Sequence, residues 1–547
     1  MKFHKPTLAK LTIIAGLALL SAGGCAVQAP PLGTLEVSSR ASVPATVTPL
    51  PLPAGQPQRL RIQLDTPARA RHVMDLPASW DVANVTFNSP TKLTAPSVIQ
   101  IPFASFVQSA PPAPFIFTFT GDDLSDPVLP PLRPGTDYNL MADLETSSPL
   151  ALEAYGIVPG AQTIDAGPNS FIITLKPTGN QGSEIPISTA AGNQTSPALA
   201  YDTNNDQQLV VWADAGSILA AMVDNLGNTV PGITVCASGT ASAPTVAYNR
   251  TADAFMVAWA DTRNGHSDIY YNTVSTGGAP GTEAPLDHTG GHTIAETQPN
   301  LVSAAGADRF LLSWVDNRNN ATSGRDIFAY RIASSGALSA LISVAVSAGV
   351  TDQLRPIGCY AATLDRFVVG FEDSGDLRFQ RINAVDGAIL DGAMGSSLTA
   401  ATGTQDQLSL AFNNKDALVL AAWRDGRAAP TQVYYAVVDP AAGTLALPDT
   451  ALTSGTATAG YPQAGFGVGH GDYAILFQDN RTAGQHDLFL RRFKLDGVTT
   501  YGEKTISIVA GNQRPTGLVF AATADQFMAT WEDDRGPDTD VYGQFLR

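Results

Sequence analysis

Seven times between residues 212 and 533 an aromatic side chain stands two places before an aspartate. The centres are Trp212-Ala213-Asp214, Trp259-Ala260-Asp261, Trp314-Val315-Asp316, Phe371-Glu372-Asp373, Trp423-Arg424-Asp425, Phe477-Gln478-Asp479 and Trp531-Glu532-Asp533. In five of them an arginine follows the aspartate by two: Arg263, Arg318, Arg427, Arg481 and Arg535. A second acid follows the loop in five: Asp268, Asp326, Asp376, Asp487 and Asp540. Carboxylates and guanidinium groups at fixed spacing could carry acid–base chemistry, or could hold one another. A ligand would use a few copies, so a group repeated nearly everywhere reads as architecture. The co-absence of the arginine and the second acid at Ala215-Gly216-Ser217-Ile218 suggests that the arginine bridges the two acids, a bidentate use of its planar fork.

Chemistry of other kinds leaves little trace. No G-x-S-x-G elbow and no phosphate-binding P-loop occurs. The Asp boxes of sialidases are missing too. Asp202-Thr203-Asn204-Asn205-Asp206 has the alternating oxygen spacing of a calcium loop but lacks its glycine and distal acid, so it reads as a hairpin turn. His288 and His292 form only a loose pair in a glycine-rich loop. No metal and no cofactor is expected, and no catalytic residue is assigned. With 49 acids, a pair of carboxylates for glycoside hydrolysis stays open as an alternative.

The elements behind the repeat follow from its period. Successive aspartates lie 47 to 57 residues apart, and the sequence between them reads as short strands and turns. That period is the signature of four-stranded propeller blades. An aspartate also precedes most centres by six or seven residues, as Asp206, Asp253, Asp308, Asp365, Asp416 and Asp525 do, with Asp472 at five. It is placed in the turn between first and second strands, bonding its own backbone. A proline marks the first strand in six blades: Pro197, Pro244, Pro299, Pro356, Pro462 and Pro515, with Leu408 in blade 5. The fold class expected is all-β, a seven-bladed propeller over residues 183–547.

Its ends predict how the ring closes. The last blade stops after its third strand, Val541 to Arg547. The segment from Glu184 to Gln194 matches the fourth-strand segment Glu503 to Gln513 at seven of eleven positions. Residues 184–190 should therefore supply the missing strand and remove two open sheet edges. In this register Cys236 falls on an outer strand of blade 1 and Cys359 on an inner strand of blade 4, so two buried free thiols are expected.

Upstream, residues 1–25 are an address. Lys2, Lys5 and Lys10 precede the apolar run Leu11 to Leu20, too short to span a bilayer permanently. Ser21-Ala22-Gly23-Gly24-Cys25 resembles the lipobox of bacterial lipoproteins, with Ala22 where Leu is preferred. The resemblance implies lipidation of Cys25, membrane attachment through that lipid and, with Ala26 rather than Asp next, an outer-membrane lipoprotein, periplasmic or surface-exposed. Residues 26–34 read as a tether and 35–178 as a β-sandwich. Leu132-Arg133-Pro134-Gly135-Thr136-Asp137-Tyr138 resembles the tyrosine-corner strand of immunoglobulin-like and fibronectin type III domains. The propeller repeat resembles the Trp-x-Asp-x-Arg…Asp-Ile-Tyr repeats of bacterial and archaeal cell-surface proteins and, more distantly, the propeller of the Tol-Pal system.

Composition narrows the partners. A formal net charge of −17 argues against nucleic acid. A protein or glycan partner is expected, on a chain that is monomeric unless it joins an envelope complex. The sites that vary between blades are the residues before each first-strand proline: Ser196, Ala243, Gln298, Arg355, Gln407, Tyr461 and Arg514. Arg355, Tyr461 and Arg514 are the candidate binding residues. The function expected is an envelope binding or scaffold protein; the alternatives are a polysaccharide-active propeller enzyme and a structural subunit of an outer-membrane complex.

Overall fold

The structure is a computed structural model. It describes residues 184–546 except 287–293, 305, 400, 469–470, 483, 496–501 and 523–525, and before residue 178 only the backbone of the strands. Cys25, segment 132–136, His288, His292 and Asp525 lie outside the described residues. The chain divides into two units, 1–177 and 178–547.

In the first unit the strands form two antiparallel sheets. One runs in the order Val85–Phe87, Leu35–Ser39, Phe115–Phe119, Asn169–Ile173. The other runs Lys176–Pro177, Leu150–Ile157, Asp137–Ser147, Gln58–Asp65, Arg71–Pro77, and Gln162–Thr163 pairs with Asp137–Ser147.

The second unit is a seven-bladed β-propeller of seven four-stranded antiparallel sheets. Blade 1 is typical: Gln194–Asp202, Gln207–Asp214, Ser217–Asp224 and Thr229–Cys236 follow one another in space as in sequence. The second strands read as near-continuous apolar runs, such as Leu209-Val210-Val211-Trp212 and Phe310-Leu311-Leu312, because both faces of a blade pack against neighbours. Seven separate apolar clusters result, one at each blade interface.

Closure occurs as expected. Ile185–Ser188 pairs with Asp540–Leu546, with Ile185 opposite Gly543 and Pro186 opposite Tyr542. Ile187 is buried with Val210, Val541 and Phe545 in the cluster that joins blade 7 to blade 1. The first and last described strands of the ring are thus one sheet, and no blade edge is left open there. Both cysteines are free thiols: Cys236 is buried, and Cys359 is half-buried as a residue while burial of its thiol pushes the pKa up to about 12.

Candidate functional site

The repeated aromatic, aspartate and arginine form a clamp in five of the seven blades. The indole Nε1 of Trp259, Trp314, Trp423 and Trp531 donates to the aspartate two places on, at 3.3, 3.0, 2.9 and 3.0 Å. That aspartate also accepts from the main-chain N–H of Arg263, Arg318, Arg427, Arg481 or Arg535, at 2.7–3.1 Å. Each of these guanidinium groups lies over a third-strand ring: Tyr270, Phe328, Tyr434, Phe489 or Tyr542, at 3.7–4.3 Å from the centroid. Burial alone would push the pKa of the Asp261 carboxyl up, but bonds from Arg263, Thr240 and Ser238 outweigh it and hold the carboxyl well below its usual range. The clamp is architecture, as its presence in most blades implies.

The arginine's second partner corrects the sequence reading. It is not the acid that opens the third strand. Arg263 reaches Glu283 at 2.6 Å, Arg427 reaches Asp449 at 2.5 Å, Arg481 pairs with Glu503, and Arg535 reaches Glu184 at 2.6 Å. These acids come with the outermost strand. Held over a third-strand ring, the guanidinium spends its N–H groups on the repeat aspartate and on the acid beside the outermost strand. The third-strand acids take donors from their own loops instead: Asp268 from Asn264, Asp326 from Ser323 and Asn319, Asp487 from Gln485. Blades 1 and 4 lack the arginine because Ala215-Gly216 and Ser374-Gly375 make two-residue turns with both φ positive, too short to carry it.

Asp206, Asp253 and Asp365 do not bond their own turns; they accept from the hydroxyls of Tyr201, Tyr248 and Tyr360 at 2.6–2.7 Å. The turn amides go to the residue that ends the first strand, as Asn204 and Asn205 go to Asp202. The oxygens of Asp202 are thereby committed to Asn204, Asn205 and Gln207 rather than aimed at a calcium position.

The variable residues lie elsewhere than expected. First strands begin where second strands end, so both mark one face of the ring: Gln194 faces Asp214, and Gln405 faces Asp425. Yet Ser196, Ala243, Gln298, Arg355, Gln407 and Tyr461 do not precede the first strand. They sit inside it, at a bulge that recurs in each blade. Their φ values are +50 to +56°, and five of the six precede proline. Such a left-handed backbone costs roughly 1–2 kcal/mol per residue and is further disfavoured before proline. It turns the main-chain N–H out of its own sheet toward the preceding blade.

Arg514 does not belong to that set. In blade 7 the repeat aspartate follows the proline by 18 positions rather than 17, so Pro515 takes the place of the bulge residue, next to the register shift between Pro515 and Gly517. Arg514 is instead the direct cross-strand partner of Glu532, as Asp406 is of Arg424 in blade 5. Both are ion pairs, with Arg424 bidentate on Asp406 at 2.7 and 2.5 Å.

Together these residues form a polar arc over blades 4 to 7. Arg355 Nη1 donates to Glu372 Oε1 at 3.0 Å, and the same oxygen accepts from the Gln407 N–H at 3.1 Å. Gln407 Oε1 accepts from the Tyr461 N–H at 2.7 Å. The Arg514 guanidinium lies 5.4 Å above the Tyr461 ring and pairs with Glu532, whose other oxygen accepts from the Ser196 N–H at 2.6 Å. Of the three residues named from sequence, Tyr461 and Arg514 are in contact, and Arg355 joins them through Glu372 and Gln407. Burial pushes the Glu372 carboxyl up; Arg355 opposes this and Asp406 adds to it. Sequence reasoning missed Glu372, Asp406, Arg424 and Glu532. Their signal was the middle residue of each triplet, which is Ala213, Ala260 and Val315 in blades 1 to 3 but Glu372, Arg424, Gln478 and Glu532 in blades 4 to 7.

No protein-family model matches the chain, and no curated protein matches it in sequence. Solved propellers resemble it in fold. The Swd1 propeller domain of Myceliophteria thermophila is 9% identical with a TM-score of 0.42, covering 67% of this chain and 100% of that one. Oligogalacturonate lyase of Vibrio parahaemolyticus is 10% identical with a TM-score of 0.41, over 66% and 93%. An α-L-arabinofuranosidase of Fusarium graminearum is 11% identical with a TM-score of 0.38, over 68% and 98%. Likeness at this level concerns the fold alone.

Proposed function

We propose that the chain is a lipid-anchored protein of the bacterial outer membrane that binds a protein or glycan partner at the propeller face where the second strands end. Cys25 is the lipid attachment, on the strength of the segment Ser21 to Cys25 and the basic and apolar stretches before it. One observation carries the binding reading. On that face the clamp repeats round most of the ring, while the positions beside it change from Ala213, Ala260 and Val315 to Glu372, Arg424, Gln478 and Glu532. A single asymmetric partner needs an asymmetric surface, and a ring built only for stability does not. The carboxylates favour recognition over acid–base catalysis. Glu372 is held by Arg355 and a main-chain N–H, and Glu532 by Arg514 and another. Neither is presented as a free proton carrier.

The test is affinity capture of the intact lipoprotein from its own cells, with the triple variant Arg355→Ala, Arg424→Ala, Tyr461→Ala beside it. These side chains are 55% and 34% exposed for the two arginines, so folding should survive. Loss of a partner that the native protein captures is the expected result. Unchanged capture by a folded triple variant refutes the assignment.

A further inference from the structure

Each first-strand bulge turns one main-chain N–H toward the blade before it, and these groups can be accounted for one by one. Six bulge residues carry an N–H; the seventh place holds Pro515, which has none. Four of the six are capped across the interface. Ser196 N donates to Glu532 at 2.6 Å, Arg355 N to Gln298 at 2.7 Å, Gln407 N to Glu372 at 3.1 Å, and Tyr461 N to Gln407 at 2.7 Å. Every cap is a Glu or Gln oxygen. The caps come from two places only in the preceding blade: the middle of the aromatic-x-Asp triplet, or the bulge residue itself.

The two remaining N–H groups belong to Ala243 and Gln298, on consecutive blades. The places that would cap Ala243 hold Ala213 and Ser196; those that would cap Gln298 hold Ala260 and Ala243. Among the described residues no side chain accepts from either N–H. Both residues are partly exposed, so an incoming group can reach them.

We infer that blades 1 to 3 of this face bind a partner polypeptide by its Glu or Gln side chains, whose oxygens accept from the N–H groups of Ala243 and Gln298. This rests on the binding reading above and names its chemistry. The occupied interfaces show what fits: a carboxyl or carboxamide on a flexible two-methylene stem, reaching between blades. A uronate carries its carboxylate directly on a rigid ring and cannot reach in this way, which favours peptide over glycan.

The test supplies the caps from within. In Ala213→Gln/Ala260→Gln each new side chain stands where Glu532 and Glu372 stand in their blades. Its folding is read by thermal melting, and capping by slowed hydrogen exchange in segments 241–244 and 296–299. The probes are a displayed library of random dodecamer peptides and, separately, oligogalacturonate. Selected peptides should contain Glu or Gln, lose binding when that residue becomes Ala, and bind the double variant about tenfold or more weakly. Peptides selected without Glu or Gln, equal binding by the folded double variant, or binding of oligogalacturonate alone would each overturn the inference. If the double variant keeps the cellular partner while the Arg355/Arg424/Tyr461 triple variant loses it, this inference fails and the binding face stands. If both variants keep it, both fail.

Discussion

Glu296→Gln should remove a pH dependence of stability that the native propeller carries between pH 4.5 and 8. Glu296 opens the first strand of blade 3, opposite Asp316, and is 1% exposed. Four other blades place a buried glutamine there: Gln194, Gln353, Gln405 and Gln513. Burial pushes the Glu296 carboxyl from 4.5 up to about 8, with Asp316 and Asp268 adding to the effect and Arg318, 4.0 Å away, opposing it. Below pH 4.5 the folded and unfolded chains both hold the proton, and the group contributes no pH dependence. As the pH rises toward 8 the unfolded chain releases the proton and the folded chain keeps it. Stability then falls by about 1.4 kcal/mol per pH unit. The loss is on the order of 3 kcal/mol at neutral pH and levels off near 5 kcal/mol above pH 8. Glutamine is neutral throughout, so the variant lacks this slope. Urea unfolding followed by tryptophan emission, from about pH 5 to about pH 9, measures the difference between the two proteins and cancels all other titrating groups. The gap in favour of Glu296→Gln should widen steadily with pH. Parallel stability curves, or a gap that widens toward acid, would refute the reasoning.

Other outcomes follow from closure, the clamp and the anchor. Deleting residues 184–190 removes Ile187 from the interface of blades 7 and 1, and Glu184 from Arg535. It should cost roughly 3–5 kcal/mol and open two sheet edges to association, read by melting and by light scattering; a stable, monomeric deletion protein would sink the closure. Trp423→Phe leaves Asp425 without its indole donor and should cost roughly 1–2 kcal/mol. Trp212→Phe should cost less than about 0.5 kcal/mol beyond the lost ring area, because the buried Trp212 Nε1 has no partner among the described residues. Equal costs in urea unfolding would contradict that distinction. Cys25→Ser should move the protein from the membrane fraction to the soluble fraction and abolish labelling by a fatty-acid analogue; unchanged fractionation would rule out the anchor.

The ring was legible from sequence because its determinants are local and repeated. An aromatic, a fixed aspartate and a turn recur within each blade, and closure was written twice, at Glu184 to Gln194 and Glu503 to Gln513. The arginine's true partner was present in those same two segments, as Glu184 and Glu503, but its distance along the chain hid it. Arg535 and Glu184 are 351 residues apart, Arg263 and Glu283 only 20, and nothing in the spacing joins them. Pairing across a sheet is a matter of register, and the outer strands vary most in length. The acid that opens the third strand is nearer in sequence, but Arg263 and Arg535, over Tyr270 and Tyr542, pair with Glu283 and Glu184 instead.

The polar arc was missed for a different reason. Proline is the conspicuous marker of the first strand, whereas the aspartate opposite Gln194 or Gln513 sets the register. The two markers agree in five blades and differ by one residue in blade 7, and that residue moves Arg514 from the bulge to a cross-strand pair with Glu532. The shift also explains the middle residues of the triplets. Glu372 and Glu532 stand where the next blade presents an N–H, at Gln407 and Ser196. Gln478 faces blade 7, where Pro515 presents none, and Val315 faces Arg355, whose N–H Gln298 already takes. Each choice answers what the neighbouring bulge offers. Only at Ala213 and Ala260 is the N–H present and the answer missing. A Gln at either place could supply the missing acceptor from within, as Glu372 does for Gln407 and Glu532 does for Ser196.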